Sequence, residues 1–370
     1  MSKKCIGCGI ELQSTNPNKN GYLPESVLNA EDSKDLLCQR CFKIKNYGQY
    51  IPVRMSRDDY RAEVKKNIAE SQVAIPVFDI IDFEGSFDDE ILDILREMES
   101  IVVINKLDLI PDEKHPSEVA DWVKQRLAEE GIAPLDVAIV SSKNGYGING
   151  IFKKIKHFYP NGVTALVLGV TNVGKSSIIN KLIGAKRATV SKFPGTTLKS
   201  IKMEIPFTKI TLIDTPGLIP DGRFSDLVCQ ECNQNIIPSN EISRKTYKVA
   251  KDRIILIGGM ITLKVLNEDD LKPIFSLYAS KGVTFHETNV DKVDELLKRT
   301  DLLTPPCEAC KDEYNKNPMV TEIITVEAGQ ELVFKGLGWL SVKRGPLVLE
   351  VTYPEAGEII LRDAFIKPKR

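Results

Sequence analysis

Short apolar runs recur along the middle of the chain, at 73–78, 101–104, 137–140, 165–169 and 210–213. Between most of them lie stretches with apolar residues at helical spacing, at 88–99, 116–130, 148–158 and 175–183. Strand-like runs alternating with amphipathic helices predict an α/β fold, with a parallel sheet covered on both faces. Residues 1–45 lack such a rhythm. Their segment between Cys8 and Cys38 is polar, with few large apolar side chains. Residues 46–70 read as a connector ending in an amphipathic helix around 58–71. Beyond Asp221 the texture changes to glycine-punctuated strand runs at 253–290 and 320–366, with a helical stretch at 292–299. The pattern predicts three parts: a small module at 1–45, an α/β domain at 46–221 and a β-rich α+β domain at 222–370.

Charge and hydropathy narrow the classes. Hydrophobic residues make up 42% of the 370 positions and charged residues 27%, an ordinary globular balance. The formal net charge of −1 pulls the protein neither onto nucleic acid nor onto an anionic membrane. The part after Asp221 is close to neutral, at about −2, and its basic clusters (Arg244-Lys245 with Lys248, Lys343-Arg344, and 366–370) read as solvated surface. Lys3 and Lys4 run straight into Cys5 with no apolar segment behind them. The apolar run at 254–263 is broken by two glycines and falls far short of the ~20 residues that span a bilayer. The expectation is a soluble, cytoplasmic protein with no membrane contact.

The chemistry is carried by short motifs. Gly169-Val-Thr-Asn-Val-Gly-Lys-Ser176 is a complete phosphate-binding loop between a strand run and a helical run. Gly169, Asn172, Val173 and Gly174 let the backbone wrap phosphates at a helix N-terminus that continues through Ser176 and Ser177. Lys175 would lie on the β- and γ-phosphates, and Ser176 would ligate Mg²⁺. Asn105-Lys-Leu-Asp108 follows a strand run directly and supplies the base preference. Asp108 would accept from guanine N1–H and the exocyclic amine, which adenine cannot offer, Lys106 would lie along the base, and Asn105 would tie this loop to the phosphate loop. Ser141-Ser142-Lys143, one helix and one strand later, fits a loop whose backbone N–H meets guanine O6. Asp214-Thr-Pro-Gly217 ends another strand run: Asp214 would hold Mg²⁺ through water, and the Gly217 N–H would sense the γ-phosphate. Pro194-Gly-Thr-Thr197 upstream supplies Thr197 to complete the Mg²⁺ shell. Together these predict a GTP-binding, GTP-hydrolysing protein with Lys175, Thr197, Asp214 and Gly217 at the reacting phosphate. Leu218 stands where many such enzymes carry a water-orienting glutamine, and leucine cannot orient water.

The order NKLD, SSK, GxxxxGKS, PGTT, DTPG is a circular permutation, with the ordinary termini joined near 151–162 and the chain reopened after DTPG. In this order the residues from Asp221 onward follow directly on the segment that hydrolysis releases.

All eight cysteines fall in CxxC pairs. Cys5, Cys8, Cys38 and Cys41 supply four soft thiolates, the number a tetrahedral Zn²⁺ takes, and a polar module of this size needs metal to fold. Cys229, Cys232, Cys307 and Cys310 form a possible second zinc set if the intervening 74 residues fold back.

The permuted order, the N-terminal CxxC…CxxC module and the Asp79-Ile-Ile-Asp-Phe-Glu-Gly-Ser86 segment resemble the YqeH family of circularly permuted bacterial GTPases, over essentially the whole chain. The resemblance implies a role in small ribosomal subunit (30S) assembly, with the subunit or its rRNA as partner and RNA contact through the C-terminal domain. Leu218 resembles the hydrophobic-substituted GTPases that use K⁺ beside the phosphates, where Asn172 would help bind the ion. A GTP-dependent metallochaperone or metal sensor is the alternative reading of eight thiolates beside a GTPase domain.

Overall fold

The computed structural model describes residues 3–17, 19–29, 36–47, 55–110, 115–184, 198–238, 241–268 and 272–365. The chain divides into two compact units, Met1–Asp108 with Pro116–Pro220, and Leu109–His115 with Asp221–Arg370.

The first unit is built on six strands, β1 (Val73–Asp79), β2 (Ile101–Asn105), β3 (Asp136–Ile139), β4 (Val163–Leu168), β5 (Ile201–Glu204) and β6 (Ile210–Asp214). Their order across the sheet is β3-β2-β1-β4-β6-β5. Every residue of β1 and β2 is buried, which the near-continuous apolar runs require of strands covered on both faces. Helix Ile148–Phe158 packs on β2 and β3, Pro116–Glu129 on β3, and Lys175–Ile183 on β6. Five strands are parallel. The sixth, β5, runs antiparallel to β6 at the edge, where its polar Lys202 and Glu204 face solvent, and no apolar run marks it in the sequence. The chain lays β1 to β3 outward from the sheet centre, returns through Ile148–Phe158, and starts β4 beside β1. The permuted motif order is thereby accommodated in one continuous sheet.

The N-terminal module belongs to the same unit. Cys5, Cys8, Cys38 and Cys41 share a small apolar cluster with Leu12, Leu23 and Leu198. The helix Arg57–Ile68 starts at Ser56, whose side chain accepts from the Asp59 N–H, a normal N-cap.

In the second unit, two five-stranded antiparallel sheets share one core. Strands β7 (Ile242–Lys248), β10 (Ile274–Ser280), β13 (Gln330–Phe334), β14 (Gly338–Arg344) and β16 (Ile359–Asp363) form one, in the order β16-β13-β14-β10-β7. Strands β8 (Ile254–Ile257), β9 (Ile261–Val265), β11 (Phe285–Thr288), β12 (Met319–Val326) and β15 (Leu347–Pro354) form the other, in the order β11-β8-β9-β15-β12. Phe275, Leu277 and Leu340 of the first sheet meet Leu263, Leu349 and Val351 of the second. The alternating burial along β15 is the period-2 pattern of a strand with one face in such a core. Trp339 and Tyr278 are buried and stacked on each other. The expected helix at 292–299 is a short 3₁₀ segment, Val290–Lys292, followed by one turn, Val293–Leu296.

Among the described residues, no helix is long and apolar enough to cross a membrane.

Candidate functional site

Among the described residues, the predicted nucleotide residues gather at the C-terminal ends of β2, β3, β4 and β6. The phosphate loop leaves β4 at Leu168 and enters the helix at Lys175. Two features of this loop demand glycine. Gly174 has φ +94°, and a Cβ there would stand 2.2 Å from Asn105 Nδ2. Gly169 has φ +148° and a Cβ would meet Val77 O at 2.7 Å. Asn172 adopts φ +68° in the middle of the loop. Lys175 is buried, and its ammonium donates to Gly169 O at 2.6 Å and Val170 O at 3.1 Å. The cation therefore lies inside the loop that would hold the phosphates. Ser176 and Ser177 are half-buried on the first turn of the helix, and Val173 is buried.

Asn105 joins the three loops. Its Nδ2 donates to Val173 O at 2.8 Å and to Ser142 Oγ at 3.0 Å, and its Oδ1 accepts the Ser142 N–H at 2.8 Å. The side chain is fully buried, so each of these bonds is made in a medium that penalises any left unmade. The Ser141 hydroxyl donates to Asp108 Oδ1 at 2.5 Å, which holds the half-buried carboxylate in one orientation. Lys143 is exposed on the same loop. Lys106, at φ +68°, reaches Asp79 Oδ2 at 2.5 Å. Asp79 ends β1, and its own N–H is taken by Ser86 Oγ at 3.0 Å. The Asp79–Ser86 segment thus orients the lysine of the NKLD loop. That link spans 27 positions and nothing in the local sequence marks it; a carboxylate ending a wholly buried strand is the signal that could have exposed it.

Asp214 is fully buried at the end of β6, in register with Val167 at the end of β4. The DTPG loop lies against the phosphate loop through two backbone bonds, Thr171 N–H to Leu218 O at 2.7 Å and Leu218 N–H to Gly169 O at 3.3 Å. A Cβ on Gly217 would come within 3.2 Å of Lys175 Nζ. The Leu218 side chain is buried. Thr197, with the rest of the PGTT segment, lies outside the described residues.

Each cysteine quartet is assembled. In both, the four Sγ atoms lie within 4.8 Å of one another. Zinc–thiolate bonds of ~2.3 Å would place sulfurs at tetrahedral corners about 3.8 Å apart. The measured contacts are Cys8–Cys38 at 3.8 Å in the first quartet, and Cys229–Cys307 at 3.6 Å, Cys307–Cys310 at 3.7 Å and Cys310–Cys232 at 3.8 Å in the second. A backbone N–H supports one sulfur in each: Cys38 N–H to Cys5 Sγ at 3.3 Å and Cys307 N–H to Cys232 Sγ at 3.2 Å. Crowding splits the thiols' acidities. A hydrogen bond donated by Cys38 pulls Cys5 well down, while donating to that same Cys38 pushes Cys41 well up. Burial pushes Cys232 up. A metal takes these sulfurs as thiolates, and an all-sulfur tetrahedral donor set fits zinc.

A family model described as "50S ribosome-binding GTPase" matches residues 164–259, and one described as "YqeH-like, C-terminal" matches residues 272–365. The first match begins at β4, so the loops predicted to read guanine lie upstream of it, as a permuted chain requires. The chain is 31% identical over 373 residues to the uncharacterized protein YqeH of Bacillus subtilis, covering 98% of this chain and 99% of that one. It is 24% identical to NO-associated protein 1, chloroplastic/mitochondrial, of Arabidopsis thaliana, covering 92% and 69%. Over 169 residues it is 31% identical to GTPase Der of Clostridium botulinum, covering 40% and 36%.

Proposed function

The chain belongs to the YqeH family of GTPases, and from that premise we propose that it is a Mg²⁺-dependent, K⁺-stimulated GTP hydrolase acting in assembly of the small ribosomal subunit. The observation that carries the chemistry is the convergence of Asn105, Asp108, Ser142, Lys175 and Asp214 at one sheet edge, linked through Asn105. Asp108 reads the guanine edge and Lys106 covers the base. Lys175 and the backbone from Gly169 to Ser177 bind the phosphates, and the Gly217 N–H takes a γ-phosphate oxygen. Ser176, Thr197 and, through water, Asp214 hold Mg²⁺, which neutralises charge on the β- and γ-oxygens when bound. Asn172 would help hold K⁺ beside the phosphates. Both cysteine quartets hold structural zinc. Burial of all four N-terminal cysteines supports a permanent site over a delivery site, which needs an accessible metal. Cys229 and Cys307 of the second quartet are half-buried, and retention of zinc through GTP turnover, against its loss to an acceptor, separates this reading from a metallochaperone.

The subunit assignment rests on family resemblance and is tested by sedimentation. The protein with a non-hydrolysable GTP analogue should pellet with small subunits and not with GDP. Co-sedimentation with large subunits alone, the partner named by the family description for residues 164–259, would overturn the assignment.

A further inference from the structure

The three residues that follow Thr197 are held from two sides by parts of the chain that the nucleotide chemistry does not use. On one side is the N-terminal module. The N–H groups of Leu198 and Lys199 both donate to Cys8 O, each at 2.9 Å. The Leu198 side chain lies in the apolar cluster of the four cysteines. Gly9, at φ +75°, packs so closely that a Cβ there would stand 2.4 Å from Lys199 O. On the other side is the helix Arg57–Ile68. Glu63 Oε1 accepts the Ser200 N–H at 3.0 Å, Glu63 Oε2 accepts from Lys199 Nζ at 3.1 Å, and Asn67 Nδ2 donates to Ser200 Oγ at 2.9 Å.

The cysteine module closes itself through Cys5 N–H to Ile10 O, Gly9 N–H to Cys5 O and Cys38 N–H to Cys5 Sγ. Glu63 and Asn67 are both buried, and a carboxylate is buried only where specific partners compensate it. Burial alone would raise the Glu63 carboxyl, but the Ser200 N–H and the Lys199 ammonium outweigh it and hold the group below its usual range, so it is ionised where it meets them. Residues 198–200 lie outside any strand, since β5 starts at Ile201. Their placement is therefore set by these side-chain and carbonyl contacts.

We infer that Glu63, Asn67 and the Cys8–Gly9 turn form a clamp on residues 198–200 that positions the neighbouring switch threonine, so that the N-terminal module favours the triphosphate-bound state. This rests on the proposed Mg²⁺ role of Thr197. The link is one peptide bond, which sets consecutive Cα atoms about 3.8 Å apart. With residues 198–200 already held, less conformational freedom is left there to be lost when a triphosphate is bound. With GDP there is no γ-phosphate to engage, and the clamp favours neither state. The effect is therefore differential, which is what a shift between nucleotide states requires. Glu63 is a positioning residue here, acting through the backbone it holds.

The test compares equilibrium Kd values of the full-length protein for GDP and for a non-hydrolysable GTP analogue with Mg²⁺. Thr197→Ala should weaken the analogue selectively. Glu63→Ala and Asn67→Ala should do the same, by about five- to ten-fold for the analogue with GDP changed less than about two-fold, the range of an ordinary coupling. Zinc content, measured on the same samples, should be unchanged in both. Cys8→Ser, depleted of metal at that site, should reproduce the selective loss. If Glu63→Ala fails to fold, Asn67→Ala, which leaves the buried carboxylate and its partners in place, decides the question. If Thr197→Ala leaves the ratio of the two Kd values unmoved, its Mg²⁺ role falls and the clamp with it. If Thr197→Ala moves the ratio while Asn67→Ala and Glu63→Ala leave it unmoved, the clamp alone is overturned.

Discussion

Asp108 and Lys175 are each bound by their own chain, one by the Ser141 hydroxyl and the other by two loop carbonyls. Such bonds hold a charged group in a fixed orientation ahead of its ligand, which lowers the ordering cost of binding. Asp108→Asn exchanges an acceptor for a donor opposite guanine N1–H and its amine. Asn keeps one acceptor oxygen, so one of the two guanine donors is left facing an NH2 group, which predicts a loss of GDP affinity of about ten- to hundred-fold, with xanthine nucleotides favoured instead. Titration with GDP and xanthosine diphosphate checks it, and unchanged GDP affinity would refute the assignment of the guanine site. Leu218 illustrates the opposite case, since an apolar side chain offers no group to orient a water. Its side chain is buried, and its backbone bonds Gly169 and Thr171 of the phosphate loop. Turnover should accordingly be faster in KCl than in equal NaCl, and Asn172→Ala should remove the difference; equal wild-type rates in both salts would end the K⁺ proposal. The residue types at these positions were legible because each motif is contiguous. The Asp79–Lys106 and Glu63–Ser200 links were not, because their partners are 27 and 137 positions apart and no local pattern joins them.

At the scale of elements, periodicity located β1, β2, β4, β6 and the helices Ile148–Phe158 and Lys175–Ile183 because burial on both faces or on one helical stripe leaves an apolar signature. It missed β5, whose outer positions carry Lys202 and Glu204 and whose pairing is supplied by β6. The second cysteine quartet shows the same limit. Cys229 and Cys307 each immediately precede a seven-residue helix, Gln230–Ile236 and Glu308–Tyr314, too short to be stable alone. A metal shared between them would anchor both. Elemental analysis of the reduced protein should therefore find two zinc ions per chain, and Cys229→Ser or Cys307→Ser should remove one while GDP affinity stays at the wild-type value. A single zinc in the wild type, lost on mutating Cys5 or Cys38, would show that the second cage holds none.

At the scale of the molecule, each unit carries its own core. Residues from Phe224 to Tyr353 form one continuous apolar cluster within the second unit, and a smaller cluster joins Ile254, Leu256 and Leu303. A fragment spanning 221–370 should therefore fold alone, with a cooperative thermal transition and one bound zinc; a spectrum of disordered chain in the presence of zinc would show that the rest of the protein is needed. What the sequence determined by itself was the chemistry. Gly169–Ser176, NKLD, DTPG and four CxxC pairs are each a few adjacent residues, and the constraint each obeys, a phosphate, a purine edge or half a metal cage, is equally local. Their permuted order was also readable, since order is a property of the chain alone. Tertiary structure decided what those pieces were attached to. The join of guanine and phosphate loops at Asn105, the closure of a cage across 74 intervening residues, and the seat of residues 198–200 between Cys8 and Glu63 all depend on distant segments meeting. Contacts of that kind are selected by the packing of whole strands and helices, and they leave no periodic trace in either partner.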